Sequence, residues 1–188
     1  MEHKQRISTK RIVLAALMAA LTVVGSGLRI KLPASVLGTN AFHLGNIFCA
    51  LSGILLGPGL GGLAAGLGSA IYDMFDPMYI SECWLTFLMK GAYGLVTGLI
   101  VWCGKNRESY LKMTLATVAG AVTYAALYLV KNYLKGIWVK GLVPTASAIA
   151  LLEKVPPTVF NAVVAVIFAP ILATAIRKAL EKNHLTLN

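Results

Sequence analysis

The chain is predicted to be an all-α integral membrane protein of six transmembrane helices, with both termini cytoplasmic. Two observations carry that prediction. The residues are 57% hydrophobic and only 13% charged, with mean hydropathy +0.75, whereas a soluble domain carries about twice that share of charge. The apolar residues also fall into six runs separated by short basic or Gly/Pro-containing connections. The 188 residues make one membrane domain, residues 1–188. A net charge of +10 raises the question of nucleic acid, but Lys and Arg stand in short runs between apolar segments, where membrane topology accounts for them. No nucleic-acid partner is expected. Lys4, Arg6, Lys10 and Arg11 lead into a segment with no cleavable end, so no signal peptide is read. Cys49, Cys83 and Cys103 are scattered without a C-x-x-C, giving neither a disulfide framework nor a metal site. No cofactor is expected.

The first span covers about 12–27. Its pairs Ala15/Ala19 and Ala16/Ala20 are four residues apart, so each makes a shallow notch on one helix face. Packing within the bundle and docking of another membrane protein are both open for that notch. Residues 28–41 form a loop broken by Pro33 and Gly38, longer than a tight connection needs and able to line a site. The second span, about 42–56, is short for a crossing of roughly 20 residues. His43 and Asn46 at its start are three apart and share a face, a set better suited to hydrogen bonding than to a metal.

Gly57-Pro58-Gly59 makes a turn into the third span, about 59–75. Here Gly57, Gly61, Ala65 and Ser69, and again Gly62, Gly66 and Ala70, recur every four residues. That spacing flattens a whole side of the helix, letting neighbours approach backbone to backbone. Asp73 and Asp76 end its apolar character, and Glu82 follows. The fourth span, about 84–103, contains Lys90 nearly two turns inside, where snorkelling competes with pairing to Asp73, Asp76 or a ligand. The fifth, about 113–134, carries a polar stripe of Tyr128, Lys131, Asn132 and Lys135 toward its end. A loop is expected from Gly136 to Pro144, with Trp138 as an interface anchor. A short amphipathic piece, 145–154, precedes the last span, about 155–176, which Pro156-Pro157 opens and which holds Asn161 one turn inside. Arg177, Lys178, Lys182 and His184 close the chain as a solvated tail.

With the termini inside, ten cations lie on the inner side and six on the outer, which favours that orientation. It also gathers His43, Asn46, Asp73, Asp76, Glu82, Lys90, Tyr128, Asn132 and Asn161 into one layer near the outer face, leaving the inner halves nearly featureless. Ionisable groups at membrane depth are expensive and usually have a task. A polar pocket open on one side, with no polar path inward, suits capture better than conduction. There is no evident inverted repeat of the kind that marks a self-sufficient secondary transporter. Neither H-E-x-x-H, G-x-S-x-G nor G-x-x-x-x-G-K-[ST] occurs, so no enzyme chemistry is read and any ATP chemistry belongs to a partner.

The alanine pairs of the first span, the block HLGNIFCALSGILLGPGLGGLAAGLGSAIYDMFDP and the following TFLMKG carry a resemblance. The chain resembles the substrate-binding S components of energy-coupling factor (ECF) vitamin transporters, in the riboflavin-type and pyridoxine- or hydroxymethylpyrimidine-type branch. The resemblance implies a multi-pass protein of the prokaryotic plasma membrane. It would bind a vitamin from outside and then associate with a transmembrane coupling subunit and two ABC ATPases. Ala15, Ala16, Ala19 and Ala20 would contact the coupling subunit, and the pocket would topple toward the cytoplasm. The pocket positions implied are Asn40, Asp73, Asp76, Glu82, Lys90, Tyr93, Tyr128, Asn132 and Asn161. Tyr93, Tyr128 and Trp84 offer faces for an aromatic ring. Pyridoxine or hydroxymethylpyrimidine fits first, then riboflavin. One buried lysine against several acids disfavours a strongly anionic ligand such as folate. The rival readings are a self-contained small secondary transporter or channel, and a structural protein of membrane assembly.

Overall fold

A computed structural model describes residues 8–33 and 36–183. Lys4, Arg6 and His184, read above as parts of the basic amino terminus and the tail, lie outside them. In chain order the elements are α1 (Thr9–Gly27), β1 (Arg29–Lys31), β2 (Ala41–His43), α2 (Gly45–Leu56), α3 (Pro58–Phe75), α4 (Cys83–Trp102), α5 (Tyr110–Trp138), α6 (Pro144–Ala150) and α7 (Val155–Lys182). Single 3-10 turns, Ile80–Glu82 and Leu151–Glu153, precede α4 and α7. By length and composition α1, α5, α7 and the stretch Ile80–Trp102 containing α4 can each cross a membrane.

The short second helix sits at the centre. All of α2 except Phe48 is buried, and it packs against α1, α3, α4 and α7. Twelve residues rise only about 18 Å, well short of a hydrocarbon core of about 30 Å. An all-round apolar helix of that length is a bundle core, not a lipid-facing span. The outer surface is the reverse of a soluble protein's: Leu63, Leu67, Leu88, Leu95, Leu115, Val122, Val163 and Ile167 are all exposed, an apolar belt that suits lipid contact.

The glycine spacing in α3 and α4 brings these two helices into backbone contact. A Cβ on Gly94 would lie 2.7 Å from the Gly61 carbonyl oxygen, and one on Gly66 would lie 2.7 Å from that of Phe87. Neither position has room for a side chain, so the two helices touch through their backbones. Gly57, at φ +81°, turns the chain from α2 into α3 in a conformation that L side chains rarely adopt.

The expected loop 28–41 is partly ordered as a hairpin. Strands β1 and β2 are antiparallel with Arg29 opposite His43 and Lys31 opposite Ala41. His43 therefore lies on a strand and does not share a helix face with Asn46. The fifth helix also runs past its expected end, through Gly136 to Trp138. Gly136 is there because α6 crosses it: a Cβ at that position would sit 2.1 Å from the Ser147 hydroxyl. The last helix likewise continues through Arg177, Lys178 and Lys182. Arg177 is not a solvated tail residue, since its guanidinium donates to the carbonyls of Arg107 (2.8 Å) and Ile54 (3.1 Å).

Candidate functional site

One end of the bundle holds a cavity of about 160 Å³. Its walls come from Ser26 of α1, the first loop, the C-terminal ends of α3 and α5, the N-terminal half of α4, the Ile80–Glu82 turn and the start of α7. Of the residues singled out in the sequence, Asn40, His43, Asp73, Glu82, Lys90, Tyr128, Asn132 and Asn161 line it. Asn46, Asp76, Trp84 and Tyr93 do not. Trp84 is 59% exposed on the outside of α4, so its ring is turned from the cavity. Tyr93 is fully buried one layer beneath, stacked on Tyr124 with ring centroids 6.1 Å apart. Asn46 is buried behind Lys90 and accepts a hydrogen bond from its Nζ. Asp76 lies outside the lining and pairs with Lys31 at 2.9 Å and Arg29 at 3.9 Å.

The first loop roofs the cavity and is fastened on two sides. On the α7 side, Asn161 accepts from the His43 amide (2.9 Å) and donates to the Ala41 carbonyl (3.0 Å). Asn40 donates to the Glu153 carbonyl at 2.9 Å, and Lys154 Nζ donates to the Gly38 carbonyl at 2.9 Å. On the α3 side, the Tyr79 hydroxyl donates to the Thr39 carbonyl at 3.3 Å. Arg29 spans the join, its guanidinium 4.0 Å from the Tyr72 ring centroid and 5.4 Å from that of Tyr79. Burial by itself would raise the Asp76 carboxyl, but the Lys31 hydrogen bond, the Met78 amide and the Arg29 charge together hold it below its ordinary value.

The side wall is aromatic and cationic. Tyr124 and Tyr128, one turn apart on α5, stack at 5.8 Å with their planes 25° apart. Lys90 Nζ stands 4.0 Å from the Tyr124 centroid. Glu82 is held between Lys131 (2.6 Å) and Lys135. The carbonyl-bonded Lys154 is only 1% exposed. Burial, then the charges of Lys131 and Lys135, push its pKa down to about 8.

This arrangement reverses the expected charge balance. The lining holds five cations, Arg29, Lys90, Lys131, Lys135 and Lys154, against two carboxylates, Asp73 and Glu82. Lys131 and Lys135 were read as part of a polar stripe and not as site residues, and Arg29 and Lys154 were missed because they belong to connections, where a basic residue is read as topology. The hairpin and the turn before α7 fold both inward.

The opposite end is closed. Below the cavity lie Leu51, Ile54, Leu55, Val101, Ala165 and Ala169, all buried and apolar. Beneath them Arg11 donates to the Leu56 carbonyl at 2.7 Å, and Trp102 donates to that of Ile54 at 3.1 Å. Among the described residues no group of His, Cys, Asp and Glu could hold a metal. The lining can hold a solute by hydrogen bonds, ring stacking and charge.

A protein of Pyrococcus woesei, described as the uncharacterized protein in the gap 3' region, is 33% identical over 114 residues, covering 61% of this chain and 72% of its own length. The family model for the S component of the ECF-type riboflavin transporter matches residues 6–178. With nearly the whole bundle inside that match, the chain belongs to the family of ECF-type riboflavin transporter S components.

Proposed function

We propose that this protein is the substrate-capture subunit of an ECF-type ABC importer, binding a small water-soluble vitamin or precursor at the outer face of a prokaryotic cell membrane. The blind cavity carries the reading: polar side chains from several elements converge at one end, and an apolar plug closes the other. A channel or a self-contained transporter needs polar groups along the whole path. In this reading the chain has six membrane-embedded helices, α3 joining the four long apolar ones, and both termini are cytoplasmic. The short α2 passes through the bundle interior, its ends reaching the surface through the first loop and the Gly57 turn. The cations at the closed end, Lys10, Arg11, Lys105, Arg107, Lys112 and Arg177, then face the cytoplasm, as the positive-inside rule favours.

The work of transport belongs to partners, a transmembrane coupling subunit and two ABC ATPases, and the chain itself performs no catalysis. Of the four alanines of α1, Ala15 and Ala19 pack against the core while Ala16 and Ala20 are exposed. The exposed pair, flanked by Val13 and Leu17, is the docking face for the coupling subunit. The Tyr124–Tyr128 stack suits a planar ring, a pyridine or pyrimidine or the larger flavin of the family's name. The protein purified in detergent should release or bind such a vitamin with a dissociation constant below micromolar. A vitamin screen with no binding at that level would overturn the reading, as would uptake by vesicles holding this protein alone without ATP.

A further inference from the structure

The two most deeply buried cations of the cavity wall lack a carboxylate partner among the described residues. Lys90 is 4% exposed and Lys154 is 1% exposed. They reach the cavity from different walls, α4 and the turn before α7. Among the described residues their hydrogen-bond acceptors are Asn46 Oδ1 and the Gly38 carbonyl. Each ammonium carries three donors, so neither is saturated by these bonds. Glu82 is already shared by Lys131 and Lys135, and Asp76 by Arg29 and Lys31. Of the two carboxylates that line the cavity among the described residues, Asp73 alone remains to face the surplus.

An ammonium taken from water without a counter-charge carries an uncompensated desolvation penalty. A cavity lined by more buried cations than carboxylates is thus a poor container for a neutral solute and a prepared one for an anion. A bound anion would supply the missing counter-charge and the missing acceptors together. Tyr124 and Tyr128 give the same cavity an aromatic wall, with Lys131 Nζ 5.3 Å from the Tyr128 ring centroid.

We infer that the captured solute is an aromatic compound bearing a carboxylate or phosphate, its ring against Tyr124 and Tyr128 and its anion among Lys154, Lys131 and Lys135. The inference rests on the capture reading and narrows it to a substrate class. Lys154 supplies charge at the roof, where it also ties down the first loop, so anion binding and closure of the roof share one side chain.

Matched neutral and anionic probes separate the possibilities: nicotinamide against nicotinate, and riboflavin against riboflavin 5'-phosphate, titrated calorimetrically into the purified full chain. Ligand released from the untreated protein is identified by mass spectrometry in parallel. The expected result is an anion bound at least tenfold tighter than its neutral partner in one pair. Lys154→Gln should bring that anion to within about twofold of the neutral probe, and Lys154→Arg should keep the preference. A neutral probe bound at submicromolar strength and as tightly as its anion overturns this inference while leaving vitamin capture standing. Retention of the preference in a monodisperse Lys154→Gln protein overturns the role given to Lys154. If no probe binds, the charge of the released ligand decides, an anion supporting the inference and a neutral compound overturning it. No probe bound and no ligand released overturns capture and this inference together.

Discussion

The side chain of Asn161 pairs with the backbone of His43 as a neighbouring strand would. Its Oδ1 accepts from the His43 amide at 2.9 Å, and its Nδ2 donates to the Ala41 carbonyl at 3.0 Å. One side chain of α7 thereby continues the β1–β2 hairpin and pins the roof of the cavity to the last helix. Asn161 is 6% exposed, so removing it strands a backbone donor and an acceptor away from water. Each unsatisfied group costs about 1–3 kcal/mol. Asn161→Ala should lower stability by about 2 kcal/mol and speed hydrogen exchange at the His43 amide by about tenfold or more. Unchanged exchange at that amide would show that the hairpin holds without the clamp.

The first helix predicts a split between its two alanine pairs. Ala16 and Ala20 are exposed, whereas Ala19 faces α3, where a Cβ on Gly68 would sit 2.4 Å from its carbonyl oxygen. Ala16→Trp and Ala20→Trp should leave vitamin binding within about twofold and abolish uptake by the assembled transporter, because bulk is added only at the proposed docking face. Ala19→Trp should reduce folded yield and binding together, an overpacked contact being worth about 1–3 kcal/mol. Equal loss of binding in all three variants would make the whole notch a folding element.

The same logic orders the glycines. Gly94→Ala places its methyl 2.7 Å from the Gly61 carbonyl oxygen and 3.0 Å from the Ala65 Cβ. It should destabilise the bundle by about 1–3 kcal/mol. Gly59→Ala meets nothing within 4 Å and lies in the first turn of α3. It should be neutral, or stabilising by up to about 1 kcal/mol. Thermal unfolding of both in detergent checks the contrast, and a harmless Gly94→Ala would mean that α3 and α4 can separate.

These contrasts mark what the sequence could and could not disclose. Helix–helix contact was legible, because four-residue spacing of Gly and Ala maps directly onto one face of α3. The hairpin was not: Arg29–Lys31 and Ala41–His43 are three residues each, too short for alternation to register. The polar layer was legible as a set of residues but not as a surface. Trp84 and Lys90 are six positions apart on α4, about one and two-thirds turns, which sets their side chains about 120° apart around the axis, so one faces outward and the other the cavity. Tyr93 is on the inward side yet one layer too deep. The charge sign failed for a further reason: Arg29 on β1 and Lys154 in the turn before α7 sit on pieces whose path no periodicity encodes, and the Lys131 and Lys135 stripe was not counted toward the cavity.

Asp76 gives the protein an acid-sensitive fastening. Its folded carboxyl titrates below the ordinary 3.8 because Lys31, the Met78 amide and Arg29 outweigh burial. A depressed folded value contributes stability above 3.8 that is lost as the pH falls through the folded value. The gap in thermal midpoint between the wild type and Asp76→Asn should therefore be widest near neutrality and close as the pH drops below 3.8. A gap that is constant with pH would mean that the carboxylate's charge plays no part in holding β1 against α3.

Lys154 titrates in the opposite sense and at the other end of the scale. Its folded pKa of about 8 lies below the ordinary 10.5. Lys131 and Lys135 on α5 lower it, while Glu153 beside it and Glu82 across the cavity raise it. Between those two values the unfolded chain binds the extra proton, so the empty protein gains stability as the pH rises from about 8 toward 10.5. An anionic solute favours the protonated lysine and moves the dependence the other way. Its affinity should hold below about pH 8 and then weaken, by up to tenfold per pH unit, as Lys154 loses its charge. Titration with an anion whose own charge is constant across that window checks this, and the Lys154→Gln protein should show a flatter profile. Wild-type affinity that stays level to about pH 10 would remove Lys154 from the anion's surroundings.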